Sequence, residues 1–132
     1  MKVALISCSK NKKNYKCRAA EMYSSSVLFK KTLNFCKEYD KIIILSAKYG
    51  AISCDDEIEP YEQTLGGSSK KDREEWALKC FSSLKAILKI EECQFDFFTG
   101  VNYYEPLKDL LTHSNFPMRG LGIGERLRFL SL

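Results

Sequence analysis

Histidine, tryptophan and proline are scarce in this chain: 132 residues hold one His, one Trp and three Pro. Six cysteines stand at positions 8, 17, 36, 54, 80 and 93, and no two of them form a Cys-x-x-Cys pair. A structural zinc site wants closely spaced Cys or His pairs, so neither a metal nor any other cofactor is expected. Long apolar runs are missing as well; Ile42–Leu45 is typical of the longest, far short of the roughly 20 residues that span a bilayer. Met1–Ile6 turns polar at Ser7 and lacks the apolar length of a secretory signal. The expectation is a cytoplasmic domain with no membrane partner, in which an even number of cysteines is no argument for disulfides. No Walker loop occurs, and Gly120-Leu121-Gly122-Ile123-Gly124 has glycine spacing two and two rather than the dinucleotide fingerprint, which reads as a turn and a helix start.

What is present is globular: 45% hydrophobic and 29% charged residues with 7 Gly exclude disordered, collagenous and low-complexity chains. The length predicts a single α/β domain over residues 1–132, with roughly two-thirds of the unfolded surface buried on folding. The net charge of +4 conceals an asymmetry. Residues 1–20 carry six Lys or Arg and no acid, whereas residues 55–62 carry Asp55, Asp56, Glu57, Glu59 and Glu62 and no base. Such a separation points to a site, or to two loops that face each other, against the simpler reading of two solvated loops.

Val3–Ile6 and Lys41–Ser46 are continuous apolar runs rich in β-branched residues, the mark of buried strands. Ala19–Tyr39 is compatible with a helix broken near Ser24–Ser26, and Ser69 can cap a helix over 70–89. Phe95–Thr99 reads as a third strand, followed by a helix from about Tyr104 to Thr112, an extended piece near Phe116–Arg119 and a helix over Ile123–Leu130. Ala47–Ser69 reads as a long connection. Alternation of strands and helices predicts a three-layer, Rossmann-like α/β/α domain with a mostly parallel sheet of about four strands. Ligands in such sheets bind beyond the carboxyl ends of the strands, where this sequence puts its unusual polar segments.

Ser7, Cys8, Ser9 and Lys10 follow the first strand and place hydroxyls, a thiol and an ammonium where a phosphate or carboxylate would bind. Their Ser-x-x-Lys spacing matches that of serine acyl enzymes, but those need a larger domain and further motifs that are absent. Five cationic residues follow Cys8 within ten positions, a setting that lowers a thiol's pKa. Lys48, Tyr49 and Gly50 follow the second strand, supplying a cation for a phosphate and a ring for a base. Gly100-Val101-Asn102-Tyr103-Tyr104 follows the third and offers an amide and two aromatics that can form a stacking wall. The acidic loop contains Pro60-Tyr61, which stiffens it, and Asp55, a candidate catalytic carboxylate expected to matter more than Asp56 or Glu57.

Ile6-Ser7-Cys8-Ser9-Lys10, Leu45-Ser46-Ala47-Lys48-Tyr49-Gly50, Ile58-x-Pro60-Tyr61-x-x-Thr64-Leu65 and Gly120-Leu121-Gly122-Ile123-Gly124 together resemble an uncharacterised family of small bacterial, archaeal and phage proteins. The resemblance runs over nearly the whole chain. Cys54 stands where that pattern usually has Pro, and Glu62 where it has Asp. The middle segment is more distantly similar to the YaaA peroxide-stress family, and that similarity implies DNA binding and oxidative stress.

The residues favour a protein that binds a nucleotide, nucleoside or nucleobase, with cleavage or exchange of an N-glycosidic bond as the reaction. Asp55 would act near the ribosyl carbon, Tyr49 or Tyr104 would stack on the base, and Lys10 with Lys48 would hold a phosphate. The alternatives are a non-catalytic stress protein whose partner is DNA or RNA, and a small phage-type accessory protein.

Overall fold

The computed structural model describes residues 1–131. Strand β1 (Lys2–Ser7) lies at the centre of a five-stranded sheet. A two-residue strand β2 (Cys17–Arg18), helix α1 (Ala19–Met22) and helix α2 (Val27–Phe35) lead to β3 (Lys41–Ser46). The break between α1 and α2 falls where three serines stand together, and Ser26 Oγ caps α2 by accepting from Phe29 N at 3.1 Å. Strand β4 (Gly50–Ser53) turns back antiparallel on β3, and β5 (Glu57–Ile58) pairs with β2. Helix α3 (Lys70–Ile87) then crosses to β6 (Gln94–Phe98), and α4 (Val101–Leu107), β7 (Ser114–Asn115) and α5 (Ile123–Phe129) complete the chain. The sheet order is β4-β3-β1-β6-β7, parallel throughout except for the β3–β4 edge. Among the described residues no helix is long and apolar enough to cross a membrane.

Because side chains alternate across a strand, a run that is apolar at every position must be buried on both faces. Val3 and Leu5 of β1 join Ile43, Leu45, Phe95 and Phe97 in one core, which Trp76, Ala77, Cys80 and Leu84 of α3 cover. Ala4 and Ile6 join Ile44 and Phe98 in a second core on the opposite face, together with Met22, Tyr23 and Phe29.

Two expectations need correction. The sheet has a fifth strand, β4, inside what reads as a long connection, and the β7 strand lies at Ser114–Asn115 rather than Phe116–Arg119. Gly50, at φ +78°, explains the first, because a residue in the left-handed region lets the chain reverse after three loop residues.

A buried carboxylate fixes the far side of the sheet. Asp96 is 6% exposed and accepts from Tyr39 Oη at 2.5 Å, Asn115 Nδ2 at 3.1 Å and Gln94 Nε2 at 3.3 Å. Burial, and after it Asp96, push the Tyr39 phenol above its ordinary pKa. Tyr39→Phe removes the shortest of these bonds from a charge that has little water, which should cost about 1–3 kcal/mol in a urea melt. An unchanged melting curve would mean that solvent replaces the phenol.

Candidate functional site

The chain runs from β1 to β3 on one side, then crosses to β6 on the other, so the strand order reverses at β1. In parallel sheets the crevice beyond the carboxyl ends at such a reversal is the usual ligand site. Here it contains a cavity of about 360 Å³ between the loop after β1 and helix α4, within the range of sites for small molecules. Cys8, Ser9, Lys10 and Lys12 form one wall, Tyr61 to Thr64 the second, and Tyr103 the third. Across the Cys8–Ser9 segment lies a smaller cavity of about 150 Å³, which Ser7 also lines.

The loop after β1 is tied down by Cys8 N, which donates to Leu45 O at 3.0 Å, and by Ser9 Oγ, which accepts from Asn11 N at 3.1 Å. Cys8 Sγ lies 3.2 Å from Tyr103 Oη, so the first and third strands' loops meet at this thiol. Behind it is a buried hydroxyl cluster. Ser46 Oγ accepts from Tyr49 N at 3.0 Å and Lys48 N at 3.3 Å and donates to Tyr61 Oη at 2.8 Å. Tyr61 Oη is in turn 2.6 Å from Tyr23 Oη. Trp76 Nε1 donates to Ser46 O at 2.8 Å, which anchors α3 to the end of β3. Burial pushes the Tyr61 and Tyr103 phenols well above their ordinary range, with the neighbouring Cys8 thiol adding to it, and pushes Tyr23 up to about 12. Both phenols therefore keep their protons at neutral pH, Tyr61 within the buried cluster and Tyr103 beside the Cys8 thiol.

Of the residues singled out in the sequence, Cys8, Ser9, Lys10 and Tyr61 line the larger cavity and Ser7 the smaller. The second-strand group lies elsewhere. Lys48 Nζ sits 5.2 Å from the centre of its neighbour's ring, and Lys48 O accepts from Lys79 Nζ at 2.7 Å. Tyr49 packs edge-on against Tyr61 and its hydroxyl accepts from Glu59 N at 3.2 Å. Gly50 belongs to the hairpin, with Lys79 carbons 3.5 Å from the position of an added Cβ. Gly100 precedes α4, and the Tyr104 ring packs on Phe116 at 4.7 Å. Neither lines the two cavities.

Asp55 stands on the surface in an ion pair with Arg18, where the basic and acidic loops meet through the β2–β5 pair. With side chains 60% and 78% exposed, that pair contributes little. Asp56 caps the turn by accepting from Ser53 N at 2.9 Å.

Residues 3–132 match the model of a family described as a family of unknown function, DUF6884. The chain belongs to that family. No curated protein and no solved structure shows significant similarity to it.

Glu62, Gln63 and Thr64 carry cavity walls that sequence reasoning did not assign to a site, Lys12 stands with Lys10 in the cationic run after Cys8, and Tyr103 takes the stacking place given to Tyr104. Adjacent helical residues point about 100° apart, so one of two tyrosines on α4 faces the cavity while the other packs into the core. Lys12 Nζ lies 4.5 Å from the centre of the Tyr61 ring, covering the face that a stacking base would need.

Proposed function

We propose that this protein binds a phosphorylated nucleoside at the carboxyl end of β1, in a three-layer Rossmann-like arrangement. The observation that carries the reading is the lining of the larger cavity: two lysines and a serine on one wall, the Tyr61 ring and the Tyr103 phenol on the others, at the reversal of strand order. Ammonium groups beside a Ser hydroxyl suit a phosphate, and the Tyr103 phenol suits a ribose or phosphate oxygen as a donor. The cores on both faces of the sheet support the layering. The nucleic-acid reading draws less support, because Arg18 of the basic loop is paired with Asp55.

Cleavage or exchange of an N-glycosidic bond would need a carboxylate near the ribosyl carbon. Asp55 is held at the surface by Arg18, whereas Glu62 lines the cavity. In this reading Glu62 takes the part expected of Asp55. Glu62→Gln would then abolish base release from a mononucleotide while leaving binding within about threefold, a change of roughly 0.6 kcal/mol.

Calorimetry with nucleosides and their 5′-monophosphates tests the binding. Lys10→Ala is expected to weaken the monophosphates by roughly tenfold or more, the scale of a hydrogen bond to a charged group, and to leave nucleosides unchanged. Equal losses for both would show that Lys10 only shapes the loop. Affinity that falls as a steep power of salt, on long DNA or RNA and not on mononucleotides, would favour a nucleic-acid partner.

A further inference from the structure

We propose that the smaller cavity is the base subsite of the same ligand, and that Cys8 and Ser9 form the partition between base and phosphate. The inference rests on the nucleotide reading above and assigns each half of the nucleotide to a compartment. At about 150 Å³ the smaller cavity falls below the roughly 300 Å³ at which sites for whole small molecules begin, so it suits one fragment. Its walls are mixed: Leu28 and Phe29 of α2, Phe98 at the end of β6 and Met118 give it an apolar side that the larger cavity lacks, and the hydroxyls of Ser26 and Thr32 stand beside them.

The larger cavity offers two ammonium groups and the smaller a single guanidinium beside four apolar side chains, so the phosphate gains more in the larger. A neutral, flat heterocycle gains from those apolar side chains. Arg126 of α5 supplies the polar edge. Its Nε donates to Leu121 O at 3.0 Å, and its terminal nitrogens make no other hydrogen bond among the described residues. A planar guanidinium held by one such bond presents donors to ring nitrogens and carbonyls, or a face for stacking. The larger cavity then takes ribose and phosphate, consistent with Lys12 covering the Tyr61 ring.

The test titrates the full chain with ribose 5-phosphate and with the four common ribonucleoside 5′-monophosphates at fixed salt. Two variants disturb only the smaller cavity: Leu28→Trp fills it and Arg126→Ala removes its polar edge. Wild type is expected to bind at least one mononucleotide tenfold or more tighter than ribose 5-phosphate. Each variant is expected to bring that mononucleotide to within about threefold of ribose 5-phosphate, whose own affinity stays unchanged. Mononucleotide affinity unaffected by both variants would overturn the subsite, as would a parallel loss for ribose 5-phosphate, which would place the phosphate beside Arg126. Should Leu28→Trp not fold, Arg126→Ala decides alone. If wild type binds neither the mononucleotides nor ribose 5-phosphate, the nucleotide reading itself fails.

Discussion

Ser46→Ala should lower the unfolding free energy by about 3 kcal/mol, a large share of the 5–15 kcal/mol usual for a domain. Ser46 is fully buried, and its hydroxyl meets three partners: the amides of Lys48 and Tyr49 and the phenol of Tyr61. Alanine leaves all three without that partner. A buried polar group left unpaired costs about 1–3 kcal/mol, and exposure of the turn at Lys48 lets water recover part of it. The neighbouring bond from Trp76 Nε1 goes to the Ser46 carbonyl and survives the substitution. Emission from Trp76, the chain's one tryptophan, therefore reports unfolding without being altered at its own contact. Tyr61→Phe, which removes one hydroxyl and keeps the ring on Tyr49, should cost about half as much. A loss below about 1 kcal/mol for Ser46→Ala would mean that water enters the cluster and that the phenols are not held as the site requires.

That cluster also marks how far the sequence could be read. β1 and β3 were legible because burial on both faces leaves Val3–Ile6 and Ile42–Leu45 without a polar position. Helix α3 was legible through its Ser69 cap, whose Oγ accepts from Asp72 N, and through the spacing of Trp76, Cys80 and Leu84. β4 was not, since Gly50-Ala51-Ile52-Ser53 is a partly buried edge strand that begins with a turn residue. This strand also decides the placement of Lys48 and Tyr49. A polar segment after a parallel strand ordinarily enters the crevice, but β3 turns straight back into β4, and its turn sets Tyr49 edge-on against Tyr61 rather than in the cavity. Gly100 gives α4 no side-chain cap, so nothing local showed that the helix starts at Val101 and turns Tyr103 rather than Tyr104 to the cavity. Arg126 carried no signal at all. It lines the smaller cavity only because α5 returns to the end of β1, a tertiary event that no local pattern encodes.

The largest pH effect should appear on the alkaline side. Burial pushes the Cys36 and Cys80 thiols from 9.0 up to about 12, and the Tyr23 phenol from 10.0 up to about 12. Tyr61 and Tyr103 move in the same direction, again chiefly through burial. Each of these groups keeps its proton in the folded chain at a pH where the unfolded chain has released it. Stability is therefore fully present below about pH 9 and falls as pH rises from there through about 12, because the unfolded state then binds fewer protons than the native one. Each such group costs about 1.4 kcal/mol for every pH step of one above its unfolded pKa, so Cys36, Cys80 and Tyr23 together remove about 7 kcal/mol by pH 11, and Tyr61 and Tyr103 act in the same direction. That is comparable with the whole stability of an ordinary domain, so the chain should unfold near pH 11 without denaturant. Urea midpoints measured from pH 7 to 11, with reductant present throughout to exclude thiol oxidation, should stay level to about pH 9 and then drop steeply. Cys80→Ala should begin lower at pH 7, from the space it leaves between α3 and the sheet, yet decline less steeply above pH 9. A midpoint that stays level through pH 11 would show that water reaches these thiols and phenols, and with them the hydroxyl cluster behind the cavity.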